Sequence, residues 1–103
     1  MIRHCVFVRF SATLSSAERQ SIFAAIEALR DVIDGMGATH HGANASPEGL
    51  GKGFDDGFTI DFRDAAARDA YLAHPRHQAA GAALVAAVEG GLEGIIVFDL
   101  AIA

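Results

Sequence analysis

Three side chains in this sequence are of types that take part in proton-transfer chemistry: the histidines His77 and His4, and the tyrosine Tyr71. A neutral imidazole takes or gives a proton near neutral pH, and a phenol hydroxyl stabilises a carbonyl or enolate oxygen. Together they suit proton abstraction beside a carbonyl, with an aldol or aromatising ring closure as one example. No P-loop, dinucleotide-binding loop or HExxH pattern is present, and we predict no cofactor.

Metal ligation is the alternative use of the histidines. His74 and His77 are three residues apart, a spacing that permits shared ligation on a helix. His40 and His41 are neighbours on a predicted strand and point to opposite sides, so they do not chelate together. No carboxylate stands at a supporting spacing, and we predict no metal site.

The hydrophobic pattern predicts the elements that must position these side chains. Alternation of apolar and polar residues predicts strands over 2–10, 37–44, 54–62 and 93–103. Capping signals and helical spacing predict helices that begin at Ser15, Asp64 and Pro75, the last running to Glu89. The order β-α-β-β-α-β, with its second helix broken at Pro75, predicts an α+β, ferredoxin-like protomer with a four-stranded antiparallel sheet.

The predicted faces of these elements bring the three side chains together. His77 shares a helix face with Leu84 and Val88, which must look inward, and His4 alternates with Val6 and Val8 along the first strand. Small residues nearby either bring the helix close to the sheet or leave a pocket between them. We expect any ligand to be held by His4, Val6, Val8, Ile26, Phe58, Ile60, Tyr71, His77, Gly81, Leu84 and Val88.

Length, charge and composition limit the classes of function. The 103 residues fit a single domain spanning 1–103, and 51% of them are hydrophobic. The net charge is −5 and the basic residues are scattered, so we expect no nucleic-acid partner. No apolar run could span a bilayer, and the charged start is unlike a signal peptide, so we expect no membrane partner and a cytoplasmic location.

The strands predict a partner. The last strand is apolar on both faces and the first is partly so, whereas the predicted helices cover only one face of the sheet. Exposed apolar patches of that size are rare in soluble monomers, so we predict a homodimer through the sheet faces. We expect Ile95, Val97, Cys5 and Phe7 to form its apolar part, and Thr59 and Asp61 a wetter part. The lone Cys5 is expected to be a buried structural thiol.

The opening MIRHCVFVRF, the loop NASPEGLGKGF, the strand DGFTIDF and the segment AYLAHPRHQAA resemble the stress-responsive dimeric α/β-barrel (Dabb) family over nearly the whole chain. The tyrosine followed by HPxH is the most specific of these elements. The resemblance implies a ferredoxin-like protomer whose sheet pairs with that of a second copy to form a dimeric α/β barrel. It also implies pocket roles for Tyr71, His77 and His4, because a plant polyketide cyclase of the family uses such a segment for a cofactor-independent aldol condensation.

Three functions therefore stay open. The first is a dimer that binds a small apolar or aromatic molecule between helices and sheet. The second is a cofactor-independent cyclase or lyase, with His77 as base and Tyr71 as oxygen stabiliser. The third is a structural, stress-protective oligomer in which the histidines only pack; a monooxygenase of a neighbouring barrel family is a more distant option.

Overall fold

The computed structural model describes all 103 residues and contains four strands, three α-helices and two short 3-10 turns. In chain order the strands and α-helices are β1 (Ile2–Val8), α1 (Ser16–Glu27), β2 (Met36–Ala43), β3 (Asp56–Phe62), α2 (Ala65–Ala73), α3 (Pro75–Ala87) and β4 (Ile95–Ala101). The strand order is β2-β3-β1-β4, and every neighbouring pair is antiparallel. This architecture confirms the predicted ferredoxin-like fold. None of the helices is long and apolar enough to cross a membrane.

Local side-chain bonds fix the start of α1, as its sequence predicts. The Ser15 hydroxyl accepts from the Glu18 backbone N–H, and the Glu18 carboxylate accepts from the Ser15 N–H, each at 3.1 Å. The apolar residues Ile22, Ile26, Leu29 and Ile33 follow at helical spacing. They do not all lie in one α-helix, because α1 ends at Glu27 and a 3-10 turn, Ala28–Asp31, continues the chain.

Two capping side chains determine where α2 and α3 begin. An Asp64 carboxylate oxygen accepts from the Ala67 N–H at 2.9 Å and opens α2. Pro75 occupies the first turn of α3, where its missing N–H costs nothing, and the His74 Nδ1 accepts from the Arg76 N–H at 3.1 Å. The break between the two helices at Pro75 is therefore confirmed. It sets the directions in which α2 and α3 present their side chains to the sheet.

Several predicted boundaries differ from the structure: β2 lies one residue earlier than predicted, β3 begins at Asp56 instead of Phe54, and β4 covers Ile95–Ala101 instead of 93–103. Two further differences share one cause. β1 ends at Val8 instead of Phe10, and α3 ends at Ala87 instead of Glu89. Beyond these ends, Phe10 pairs with Val88 in an isolated antiparallel bridge. The Glu89 N–H donates to the Arg9 carbonyl at 2.8 Å. This N–H would bond within the helix if α3 ran to Glu89, so its bond to the chain after β1 ends the helix earlier.

The two faces of the sheet differ in what covers them. The helix side carries the core, including Val6, Val8, Phe58, Ile60 and Phe62. The other face carries no helix, and the β1–β4 register places four large apolar side chains there, all of them exposed: Phe7, Ile96, Phe98 and Leu100.

The prediction that Ile95 and Val97 lie on this bare face is wrong. Val6 pairs with Val97 and Val8 pairs with Ile95, so Ile95 and Val97 lie on the helix side. The last strand is apolar on both faces, and its sequence alone did not show which set the helices cover. Thr59 pairs with Cys5, so it does lie on the bare face, as does Asp61.

Replacing Asp64 with alanine should lower the free energy of unfolding at neutral pH, because the Ala67 N–H loses its acceptor. That bond lowers the pKa of Asp64 below 3.8, so the cap contributes fully above that pH and is lost as the pH falls through the lowered pKa. In urea titrations, the difference between the parent protein and D64A should shrink on acidification.

Asp64→Asn provides the control, since its amide oxygen caps the helix and does not titrate. The advantage of D64N over D64A should therefore persist in acid. A difference between the parent and D64A that does not change with pH would contradict the assigned role of the carboxylate.

Candidate functional site

The layer between helices and sheet contains a cavity of about 500 Å³. Its walls come from β1 and β4 on the sheet side, from α2 and α3 opposite, and from single residues of α1, β3 and the turn before β4. They are His4, Val6, Ile26, Phe58, Arg68, Asp69, Tyr71, Leu72, His77, Gly81, Leu84, Val85, Leu92, Ile95, Val97 and Asp99. The lining is mostly apolar and carries a few polar groups, as small-molecule sites usually are.

A shortage of side-chain volume keeps this part of the layer open. Gly81 lies on the cavity wall, and a Cβ added there would meet no atom within 4 Å. Val97 faces the same space and stays 58% exposed, although it lies on the helix side of the sheet. β4 is an edge strand, so α2 and α3 leave its outer part uncovered and the cavity opens there.

His77 contributes a ring nitrogen suited to act as a base. Its Nδ1 lies 3.1 Å from the carbonyl oxygen of Leu72, near the end of α2. A carbonyl only accepts, so Nδ1 carries the hydrogen and the lone pair of the neutral ring is on Nε2. Burial lowers the pKa of His77 below its ordinary 6.5 and outweighs the hydrogen bond to Leu72, which raises it, while the nearby His4 adds a smaller lowering. The ring is therefore neutral at pH 7.

Tyr71 lies between the two histidines. It is only 1% exposed, and its ring centroid is 4.4 Å from that of His77 and 5.8 Å from that of His4. Its ring also packs 5.1 Å from Phe62, centroid to centroid, which holds it in place. Burial raises the pKa of Tyr71, so the phenol keeps its proton. Its hydroxyl bonds to no protein group and is free to donate to a ligand oxygen.

His4 is oriented by a carboxylate from the neighbouring strand. It pairs with Asp99 in the β1–β4 register, and its Nδ1 lies 2.6 Å from Asp99 Oδ1. The other Asp99 oxygen accepts from Arg68 Nη1 of α2 at 3.1 Å. The carboxylate only accepts, so the hydrogen lies on Nδ1 of His4. Its Nε2 forms no hydrogen bond to the protein.

The structure brings together eight of the eleven residues expected around a ligand, the catalytic candidates His77 and Tyr71 among them: His4, Val6, Ile26, Phe58, Tyr71, His77, Gly81 and Leu84. Val8, Ile60 and Val88 do not line the cavity and instead belong to the packed core. Val8 and Ile60 are fully buried on the correct face of the sheet. Alternation assigns the face but does not show which part of it the helices leave open.

Three polar wall residues were not predicted from the sequence, namely Arg68, Asp69 and Asp99, and the first and last of them bond to each other. Asp99 alternates with Ile95 and Val97 in β4, so a single carboxylate on an otherwise apolar strand face was the available signal. Arg68 lies one helical turn before Tyr71 in α2, a spacing that places both on the same side. The remaining unpredicted wall residues are Leu72, Val85, Leu92, Ile95 and Val97.

The other histidines lie outside this cavity. His74 caps α3, and His41 stacks on Phe23 with ring centroids 4.5 Å apart. His40 pairs with Thr59 and so lies on the bare side of the sheet. No group of three or more His, Cys, Asp or Glu side chains is arranged to hold a metal ion.

A second hollow of about 550 Å³ lies on the bare side, between the sheet and the loop that follows β2. Phe7 and Ile96 form part of its floor, and Leu50 and Phe54 of the loop form part of its wall. It is continuous with the exposed apolar patch of the bare face and contains neither Tyr71 nor His77.

Comparisons with known proteins agree with this fold. A protein from a Jannaschia species, described as dimeric, ferredoxin-like and of unknown function, is 33% identical over 98% of each chain, with a TM-score of 0.90. The hydroxynitrile lyase of Passiflora edulis is 23% identical, covering 99% of this chain and 93% of its own, with a TM-score of 0.85. At that identity the likeness shows the fold alone.

A Dabb family protein from Mesorhizobium loti is 24% identical over 99% of this chain and 96% of its own, with a TM-score of 0.76. No curated protein matches the chain. The family model for the stress responsive A/B barrel domain matches residues 2–102. The chain therefore belongs to the stress responsive A/B barrel domain (Dabb) family.

Proposed function

We propose that this protein is a homodimer that binds a small, largely apolar or aromatic molecule in the cavity of each protomer. The observation that carries the proposal is the pairing of His77 and Tyr71 on the wall of a largely apolar cavity of about 500 Å³. That volume lies within the range of roughly 300–1,000 Å³ typical of small-molecule sites.

The polar groups define what such a ligand carries. The Tyr71 hydroxyl donates a hydrogen bond, and the neutral His77 accepts one at Nε2. A ligand with a phenol or enol hydroxyl, or with a hydroxyl beside a carbonyl, satisfies both, whereas a plain hydrocarbon satisfies neither. The rest of its surface contacts apolar side chains such as Leu84, Val85 and Val97.

A larger side chain at Gly81 tests whether the cavity is the binding site. The probe is naphthol, an aromatic molecule with a phenol-type hydroxyl. Gly81→Leu should weaken naphthol binding at least about tenfold, a loss of about 1.4 kcal/mol, because the leucine occupies the ligand's space. The fold should survive, since an added Cβ meets no neighbour within 4 Å and leucine is a better helix former than glycine. Isothermal titration calorimetry measures the affinity, and thermal unfolding checks stability.

Ala82→Leu is the matched control, because Ala82 is the next residue of α3 and is exposed. It should leave naphthol affinity unchanged. Equal affinities for the parent, G81L and A82L would place binding elsewhere. An absence of naphthol binding to the parent protein, together with assemblies larger than a dimer, would favour the purely structural, stress-protective role.

The tautomer of His77 favours a second candidate, a cofactor-independent enzyme of the cyclase or lyase type. Nε2 of a neutral imidazole removes the proton beside a carbonyl. The C–H electron pair then forms the carbon–carbon double bond of the enolate, and the π pair of the carbonyl moves to its oxygen. The Tyr71 hydroxyl then stabilises that enolate by a hydrogen bond. That the Passiflora edulis neighbour is a hydroxynitrile lyase supports an enzymatic role for this fold.

Deuterium exchange into a phenyl-substituted ketone, followed by NMR, tests this second candidate. His77 must be neutral to act, and burial lowers its pKa below 6.5, so exchange should proceed fully above that pH and fall only as the pH drops through the lowered pKa. His77→Gln should abolish the enzyme-dependent rate, and Tyr71→Phe should reduce it. An exchange rate that already falls above pH 6.5 on acidification, or an unchanged rate in H77Q, would exclude His77 as the base.

The bare sheet face supports the homodimer. Phe7, Ile96, Phe98 and Leu100 share it, and covering apolar surface contributes about 25 cal/mol per Å². Asp61 accepts two hydrogen bonds from Arg3, at 2.8 and 3.1 Å, so this carboxylate on the bare face is already paired within the protomer. A second copy of the sheet covers the patch, and this is consistent with the dimeric state described for the Jannaschia protein.

A charge placed in this patch should separate the protomers. Ile96→Glu should shift the sedimenting species from twice the 10.8 kDa chain mass to the mass of one chain, because the carboxylate would be buried without a partner. Val32→Glu is the matched control, since Val32 is also 42% exposed and lies outside the sheet. A monomeric parent protein, or an I96E variant that stays dimeric, would contradict the proposed interface.

A cytoplasmic location remains part of the same proposal. It is compatible with the free thiol of Cys5, which is buried on the bare side of the sheet.

A further inference from the structure

A chain of three side chains from three different elements runs along one wall of the cavity. His4 of β1 contacts Asp99 of β4 at 2.6 Å, and Asp99 contacts Arg68 of α2 at 3.1 Å. All three residues line the cavity. The His4 side chain is almost completely buried, whereas Asp99 and Arg68 each keep about a quarter of their surface exposed.

Arg68 itself is held from two sides. Its Nε donates to Asp69 Oδ1 at 3.0 Å, while Nη1 reaches across to Asp99. A guanidinium is planar and presents its donors in a fixed fork, so contacts with both carboxylates define its orientation. The fork in turn occupies one oxygen of Asp99 and leaves the other directed at His4.

Asp99 needs this support because of where it lies. β4 is an edge strand, and the adjacent cavity contributes no packing that would stop the carboxylate from rotating towards solvent. Besides His4, Arg68 is the side chain that bonds to this carboxylate. Without Arg68, the two carboxylate oxygens become free to exchange or to turn outward, and the partner of His4 Nδ1 is lost for part of the time.

We propose that Arg68 is a positioning residue, which holds Asp99 so that His4 keeps its hydrogen on Nδ1 and presents an unpaired Nε2 to the cavity. This role rests on the proposed function, in which the cavity binds a ligand. It gives the cavity two imidazoles with the same open nitrogen, since the Leu72 carbonyl fixes the Nδ1–H form of His77 in the same way.

The surroundings of His4 leave Asp99 as the group that selects its tautomer. The titratable groups near His4 are Asp99 of β4, Tyr71 of α2 and His77 of α3, and the charged Arg68 and Asp69 complete the wall. β3 presents the apolar Ile60 opposite His4, and α1 contributes Ile26 to the cavity. Asp99 is the protein group that hydrogen-bonds to the His4 ring.

Long-range proton–nitrogen NMR of the nitrogen-15-labelled protein, recorded without ligand at about pH 8, reports each ring's tautomer directly. In Arg68→Met, the preference of His4 for hydrogen on Nδ1 should fall about tenfold, by the loss of one charge-assisted contact. His77 should keep its tautomer, because its acceptor is a backbone carbonyl, so it serves as a control within the same spectrum.

Three further variants separate positioning from general stability. Arg68→Lys should restore part of the preference, since an ammonium reaches Asp99 without the second contact of the fork. Arg76→Met removes an exposed arginine from α3 and should leave His4 unchanged. In an Asp99→Asn background, R68M should cause no additional change, because its effect runs through Asp99.

An unchanged His4 tautomer in R68M would overturn the proposal, as would an equal change in R76M. Should R68M fail to fold, an R68K variant with an unaltered His4 signal would overturn it equally. These spectra need no ligand, so the inference can fail while naphthol binding succeeds, and binding can fail while the tautomer shifts as expected.

Discussion

The pairing of β1 with β4 is the interaction on which both functional surfaces depend. One register places His4 opposite Asp99 and Val6 opposite Val97 on the helix side, and it places Cys5 opposite Phe98 on the bare side. A slip of one residue would exchange the two sets, because side chains alternate along a strand. The cavity wall and the apolar face available to a second copy are thus two consequences of a single strand pairing.

Local signals of the sequence identify the elements that flank this strand pair. The capping residues Ser15, Asp64 and His74 act through bonds within one turn of their own helices, so sequence spacing is enough to locate them. His77 and Tyr71 were found in the same way, because their helical faces are set by neighbouring residues. The family resemblance identified the same pair from its motif.

Features that depend on long-range packing were not predictable. Whether Ile95 and Val97 or Ile96 and Phe98 face the helices is decided by register, because both sets are apolar. The end of α3 is decided by the bridge to Phe10, more than seventy residues away in the chain. The partnership of Arg68 and Asp99 likewise joins α2 to β4, and no local spacing indicates it.

We propose that the space between β1, β4, α2 and α3 holds a ligand whose oxygen contacts His77 and Tyr71. A crystal structure of the protein soaked with naphthol tests it most directly. We predict density in this cavity, with the naphthol oxygen about 2.6–3.2 Å from His77 Nε2 and from the Tyr71 hydroxyl. A space filled by side chains between these helices and strands, or naphthol bound only at other surfaces, would contradict this proposal.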